Sequence, residues 1–101
     1  MYNGLEEKDI GFRLYEKEIF DACIIKVKAG TTGFKGGDAG HGGRTFIKIE
    51  DIGGADIHFK ATQNEMEKSL IMTLYGDAEL NVMIEGLEWI IKKLKENKGE
   101  R

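Results

Sequence analysis

The apolar residues of this chain change their period once, near residue 76, and this change limits the folds open to it. Before that point, short segments alternate apolar and polar residues, which is the pattern of half-buried β-strands. After it, apolar residues recur at three- and four-residue steps, which marks one face of an α-helix. The chain has 101 residues, a length that suits one hydrophobic core. We therefore predict a single domain over residues 1–101, of the α+β class.

Alternation predicts four to five strands before the helix. The strand segments are residues 18–28, 44–52, 55–62 and 69–76, with a shorter strand over residues 10–17. Connections between them are short and contain no helix, so neighbouring strands should be antiparallel. Residues 69–76, SLIMTLYG, form an apolar run that is too short for a helix and is bounded by turn residues. We expect this segment to be the most buried strand.

The C-terminal segment predicts a helix of about 30 Å, with Asp77 as a suitable N-cap and lysines at its negative end. Gly86 in the middle of this helix costs about 1 kcal/mol relative to alanine, so we expect it to approach the sheet closely. The fold we predict is a curved antiparallel sheet of four to five strands with one long C-terminal helix packed on one face. The predicted core-facing stripe of the helix is Leu80, Met83, Ile84, Leu87, Ile90, Ile91 and Leu94.

Charge and hydropathy argue against two classes of partner. The formal net charge is −3, whereas binding to duplex nucleic acid needs an excess of clustered Lys and Arg. The apolar runs are far shorter than the roughly 20 residues that cross a bilayer, and acidic residues occupy the N-terminus where a signal peptide is apolar. We therefore expect a cytoplasmic protein without membrane contact. The single cysteine, Cys23, lies in an apolar run and should be a buried, inert thiol.

The segment between residues 29 and 46 concentrates glycine. Seven of the fourteen glycines lie between Gly30 and Gly43. Ordering so many glycines costs conformational entropy, so the cluster needs an explanation. Three interpretations are open, and the first is a long, exposed hairpin tip without chemistry.

The second interpretation is an anion site. Glycine-rich backbone can form a nest of N–H groups around phosphate, and Lys35, Arg44 and His41 would add charge and a donor. Phe34 would stack on a base or ring. The segment lacks the Gly-Lys-Ser/Thr ending of a P-loop and leads into a strand, so any anion site depends on nests and side chains alone. The predicted ligand-binding residues are Phe34, Lys35, Gly36, Gly37, Asp38, His41, Gly42, Gly43, Arg44 and Thr45.

The third interpretation is catalytic. Asp38 and His41 would form an acid–base pair, or a weak metal site together with Asp51, Asp56 and His58. Two histidines and no accessible cysteine argue against structural zinc, and no GxSxG, HExxH or paired CxxC motif is present. We therefore predict no cofactor and no metal, and favour a binding protein over an enzyme.

Residues 33–52, GFKGGDAGHGGRTFIKIEDI, resemble a segment of small proteins encoded by phages and prophages. In those proteins a Gly-Gly-Asp-x-Gly-His-Gly-x-Arg-Thr loop precedes a strand that ends in an acidic pair. The resemblance covers about a fifth of the chain, and it carries no assigned activity. It implies a class of inhibitors of bacterial defence, including oligomeric sponges that sequester cyclic or ADP-ribose-derived nucleotide signals. Such a sponge needs a loop over the phosphates, a cation and an aromatic ring.

The leading hypothesis is a non-enzymatic binder of a small phosphorylated ligand, and its specific form is a binder of a nucleotide messenger. A domain this small has little concave surface, so a symmetric homo-oligomer would share the ligand site across a two-fold interface. One alternative is a small hydrolase that uses Asp38 and His41. The other is a protein-binding inhibitor or phage accessory protein that uses a sheet edge or the acidic residues Glu6, Glu7, Asp9, Glu16 and Glu18.

Overall fold

The computed structural model describes residues 10–37 and 42–98. Along this part of the chain, five antiparallel strands precede one long C-terminal helix, which confirms the predicted α+β class. The strands divide between two sheets, one of order β1–β2–β3 and one of order β4–β5. The elements are β1 (Tyr15–Phe20), β2 (Ile24–Thr31), β3 (Thr45–Gly53), β4 (Ile57–Gln63), β5 (Lys68–Leu74) and α1 (Asp77–Lys98).

Strand β2 is the centre of the core. It pairs with β1 on one side and β3 on the other, and its Ile25, Val27 and Ala29 side chains are fully buried. The prediction that residues 69–76 form the most buried strand is wrong. Most of β5 is exposed, with Leu70 at 66% and Ile71 at 51%, because β5 lies in a two-stranded sheet with β4 as its one neighbour.

A tight turn interrupts the predicted strand over residues 18–28. The Asp21 N–H donates to the Cys23 carbonyl oxygen at 2.8 Å, and the Asp21 carboxylate accepts from the Ala22 N–H at 2.8 Å. An aspartate that bonds to nearby backbone favours a turn over a continuous strand. Residues 18–20 therefore belong to β1, and β2 begins at Ile24.

Cys23 is buried and unpaired, as predicted. Burial raises the pKa of its thiol above the ordinary value, and the carboxylates of Glu79, Asp21 and Asp51 raise it further. The thiol therefore stays protonated at neutral pH, which makes it a poor nucleophile.

Helix α1 crosses the β1–β2 side of the three-stranded sheet. Gly86 lies directly over β2: a Cβ at this position would be 3.1 Å from Val27 Cγ1 and 3.3 Å from Ile25 Cδ1. This contact confirms the close approach predicted for Gly86. The residues of α1 that are buried are Glu79, Val82, Met83, Gly86, Ile90 and Asn97.

The predicted core-facing stripe of α1 is correct only in part. Met83 and Ile90 are buried and Leu94 is half-buried. The apolar residues of α1 cover a wider arc than the sheet can bury. The close approach at Gly86 turns the Gly86 side of the helix toward the sheet, so the apolar residues farthest from Gly86 around the helix stay exposed. Four members of the stripe are 40–56% exposed, namely Leu80, Ile84, Leu87 and Ile91. Helix α1, the one helix in the described part of the chain, is not apolar enough to cross a membrane.

The β4–β5 hairpin is attached to the rest of the fold at its base. The buried Glu79 carboxylate, in the first turn of α1, accepts from the Asp56 N–H at 3.0 Å, and the Tyr75 N–H donates to the Asp56 carbonyl oxygen at 3.0 Å. At the far end, the Asn64 side chain accepts from two backbone N–H groups of the turn. Ile57 packs against the core, whereas the hairpin beyond it is mostly exposed.

Candidate functional site

The glycine-rich segment leaves β2 and enters β3 through a hydrogen-bonded neck. The Thr32 N–H donates to the Arg44 carbonyl oxygen at 3.0 Å, and the Arg44 N–H donates to Thr32 Oγ1 at 3.0 Å. One residue farther from the loop, at the last residue of β2 and the first of β3, the Thr31 and Thr45 hydroxyl groups bond to each other at 2.8 Å. The two ends of the loop are therefore held together by both backbone and side chains.

Two of the glycines in this segment are required for close packing. Gly33 has a φ of +78°, and a Cβ there would lie 2.9 Å from the carbonyl oxygen of Lys98 at the end of α1. A Cβ at Gly43 would collide with the Gly33 carbonyl oxygen. Part of the glycine cluster therefore lets the two arms of the loop pack against each other and against the helix end.

A cavity of about 360 Å³ lies between the loop and the C-terminal end of α1. This volume is within the range of about 300–1,000 Å³ that is usual for small-molecule sites. Its lining residues in the described part of the chain are Thr31, Gly33, Phe34, Lys35, Gly36, Gly37, Gly43, Thr45, Leu94 and Lys98.

The structure brings part of the predicted ligand site to this cavity. Gly42 and Arg44 lie in the loop and its neck but are not among the lining residues, while Asp38 and His41 lie outside the described residues. Arg44 is exposed, and within residues 10–37 and 42–98 its guanidinium makes no ion pair. The predicted residues that do line the cavity are Phe34, Lys35, Gly36, Gly37, Gly43 and Thr45.

Sequence reasoning missed the contribution of the helix end. Asn97 is 6% exposed, and its side-chain oxygen accepts from the Thr31 N–H at 3.3 Å, which joins the last turn of α1 to β2. Lys98 places its Nζ 5.3 Å from the centre of the Phe34 ring. Asn97 gave a usable signal, since it falls on the same helical face as Gly86 and Ile90, and a buried amide needs a polar partner.

The electrostatics of the cavity favour an anion. The negative end of the α1 dipole, equivalent to roughly half an elementary charge, points toward the loop. Lys35 and Lys98 bring two full positive charges to the same cavity, and the described lining contains no carboxylate. Two ammonium groups outweigh half a negative charge, so the described lining of the cavity carries net positive charge.

The backbone at Gly36 has the left-handed conformation that an anion-binding nest requires at one of its residues. Gly36 has a φ of +82°, whereas the φ of Lys35 is not positive. In a nest, a left-handed residue next to a right-handed one turns successive N–H groups toward one anion. A Cβ at Gly36 would meet nothing within 4 Å, so this glycine is required by its backbone angle and not by packing. Beside it, the Phe34 ring is 84% exposed.

The outer face of α1 carries a second depression, of about 460 Å³, around Ile91. It is larger than the loop cavity but open to solvent, and side chains of both charges border it, those of Glu88, Lys92, Lys95 and Glu96. It has neither the glycine backbone nor the aromatic ring of the loop cavity. We therefore place the candidate site at the loop cavity.

The other residues of the catalytic interpretation do not meet at the cavity. His58 Nε2 lies 2.8 Å from Asp56 Oδ1 on the exposed hairpin, and the Tyr75 ring packs edge-on beside His58. The Asp51 carboxylate instead accepts from the Gly53 and Ala55 N–H groups, which fixes the turn after β3. Within the described ranges, no three Asp, Glu, His or Cys side chains are grouped to hold a metal ion.

Comparisons of this chain with protein-family models, curated proteins and solved structures find no match. The resemblance to phage-encoded proteins stays a prediction from the loop sequence. Functional conclusions therefore depend on the chemistry of the cavity.

Proposed function

We propose that this chain binds a small phosphorylated ligand in the loop cavity and catalyses no reaction on it. One observation carries the proposal: Phe34, Lys35 and Lys98 line the same cavity as the exposed glycine backbone. Positive charge, free N–H groups and an exposed ring are the three features that a nucleotide-like ligand requires. The cavity volume of about 360 Å³ fits a small ligand rather than a polymer.

Lys98 has a weak partner in the ligand-free protein. A cation–π contact at an exposed site contributes about 0.5–1 kcal/mol. A hydrogen bond to a charged group contributes about 1.5–3 kcal/mol, so a phosphate beside the ring is a better partner for Lys98 than the ring itself. The ring of Phe34 is then free to stack on a base. Lys35 and the Gly36 and Gly37 N–H groups complete the contacts to phosphate.

Lys98 takes the place in this proposal that the sequence prediction gave to Arg44. The Arg44 backbone closes the neck, and its guanidinium is outside the lining. Arg44 would contribute long-range attraction to an anion, which salt screens over about 10 Å. We therefore expect a smaller effect from Arg44 than from Lys98.

The specific form of the proposal is sequestration of a nucleotide messenger of antiphage defence, cyclic or derived from ADP-ribose, by a homo-oligomer in the host cytoplasm. A phosphate and a stacking ring occur together in such messengers. Sequestration needs affinity and no turnover. This form is supported by the loop resemblance and by the positive charge of the cavity.

Isothermal titration calorimetry with ADP-ribose and with inorganic pyrophosphate tests the proposal. We expect binding of ADP-ribose, with affinity reduced about 10- to 100-fold by Lys98→Ala because one charge-assisted hydrogen bond is lost. Lys92→Ala, which removes an exposed lysine of α1 outside the cavity, is the matched control and should leave affinity unchanged.

Equal effects of Lys98→Ala and Lys92→Ala would contradict the proposed site. Mass spectrometry of molecules released by heating the purified protein extends the search to other phosphorylated ligands. ADP-ribose recovered unchanged after incubation is the expected result for a binder. Its hydrolysis would support the enzymatic alternative instead.

A further inference from the structure

Two exposed apolar patches remain outside the core and outside the candidate site. We call them the helix patch, which lies on α1 and β3, and the hairpin patch, which lies on one face of β4 and β5. The helix patch consists of Ile47, Leu80, Ile84, Leu87 and Ile91, each 40–56% exposed. The hairpin patch consists of Phe59, Ala61 and Leu70, which are exposed, and Met72, which is half-buried.

The members of the helix patch lie on the same side of the molecule. Lys93 places its Nζ 5.0 Å from the Tyr15 ring, so that flank of α1 faces β1. At 3.6 residues per turn, the exposed apolar residues occupy the opposite flank, which is the side of α1 nearer to β3. Ile47 pairs with Ala29, whose buried side chain faces the helix, so Ile47 also lies on the helix side of the sheet.

The hairpin patch belongs to an element that is not stable by itself. Phe59 pairs with Met72 and Ala61 pairs with Leu70, so all four share one face of the hairpin. Two-stranded hairpins are marginally stable in water unless a third strand or another layer covers their apolar face. Phe59 is 45% exposed and Leu70 is 66% exposed, so residues 10–37 and 42–98 do not supply that layer.

The two patches together offer enough apolar surface for the centre of an interface. Seven of their large side chains are 40–66% exposed, namely the five of the helix patch together with Phe59 and Leu70 of the hairpin patch. A standard interface buries about 800 Å² per partner, and its centre is apolar while its rim is polar. Each copy in a two-fold dimer would bury one patch of each kind.

We propose that a second copy of this chain covers both patches. The hairpin needs its cover whenever the chain is folded, and the partner that is always present at equal concentration is the chain itself. The helix patch is the longer of the two, since Leu80 to Ile91 spans about 16 Å of helix and residues 59–61 of the hairpin patch span about 7 Å of strand, so the hairpin patch fits within it. A two-fold axis can place the hairpin patch of each copy on the helix patch of the other.

This interface would end beside the loop cavity. Ile91 lies one helical turn from Leu94, and Ile47 lies two residues from Thr45, and both of these neighbours line the cavity. The second copy would then form an outer wall of the ligand site. This last step rests on the proposed function, whereas the dimer itself does not depend on any ligand.

Light scattering coupled to size-exclusion chromatography of the full chain tests the dimer. We expect a mass of about twice 11.3 kDa for the wild type at 100 µM protein. Ile84→Lys on the helix patch and Leu70→Lys on the hairpin patch should each raise the dimer dissociation constant at least about 100-fold, because each buries an unpaired charge at the interface.

Two neighbouring residues provide matched controls. Glu85→Lys changes the next residue of α1, on a different flank, and Ile71→Lys changes the next residue of β5, on the opposite face of the hairpin. Both controls should keep the dimer mass. Circular dichroism of all four variants checks that α1 remains folded. If Leu70→Lys unfolds the hairpin, Ile84→Lys still tests the interface, because it leaves the hairpin sequence unchanged.

A wild type that is monomeric at 100 µM would overturn the proposal and leave the patches to a different partner. An oligomer that survives both patch variants would also overturn it, because the interface would then lie elsewhere. The Lys98→Ala and Phe34→Ala variants separate this result from the ligand proposal. They should weaken ADP-ribose binding while they keep the dimer mass.

Discussion

Strands β2 and β5 have similar apolar content and opposite environments. In β2, IIKVKAGT, the Ile25 and Val27 side chains are 0% exposed. In β5, KSLIMTL, the Leu70 and Ile71 side chains are 66% and 51% exposed. Strand β2 has a strand on each side and α1 above it, whereas β5 has only β4. The number of layers around a strand, and not its composition, therefore decides how deeply its side chains are buried.

The largest effect expected from this comparison is on stability. Ile25→Ala removes a fully buried side chain from the core and should lower the free energy of unfolding by about 2–5 kcal/mol. Ile71→Ala makes the same chemical change at an exposed site, outside the hairpin patch, and should lower it by less than about 0.5 kcal/mol. Urea denaturation at one protein concentration measures both values. Similar losses for the two variants would show that the β4–β5 hairpin is as well packed as the core.

A smaller effect is expected from pH at the edge of the same core. The pKa of Cys23 is raised in the folded state by burial, so the folded protein holds this proton more tightly than the unfolded chain does. The resulting stabilisation is fully present below the unfolded pKa of about 8.5 and is lost as pH rises toward the folded pKa.

The difference in unfolding free energy between wild type and Cys23→Ala isolates this contribution, because other groups titrate in both proteins. We expect the difference to be constant below pH 8 and then to shift against the wild type by at most about 1.4 kcal/mol per pH unit. A difference that stays constant up to pH 10 would mean that the thiol ionises normally in the folded protein.

The fold was predictable from the sequence where the pattern is local. Alternation located β3 and β4 to within a few residues, and the three- and four-residue period located α1. The depth of burial was not predictable, because the apolar arc of α1 is wider than one sheet can cover. The pattern alone therefore did not separate Ile90, which faces the core, from Ile91, which is 55% exposed.

The candidate site was predictable on the loop side only. The glycine cluster and the exposed Phe34 mark the segment as unusual, and Lys35 lies within it. Lys98 contacts Phe34 from a helix more than sixty residues away in sequence. A contact of this kind depends on how the end of α1 meets the neck of the loop, which no short sequence pattern encodes. Asn97 alone carried a signal for that junction.

Hydrogen exchange at two protein concentrations tests most directly the claim that the hairpin depends on a second copy. At concentrations where the chain is dimeric, amides of both β2 and the β4–β5 hairpin should be protected. After dilution to the monomer, the β2 amides should stay protected while those of the hairpin exchange at least about 10-fold faster. Hairpin amides that remain as well protected as those of β2 in a monomeric sample would contradict the claim.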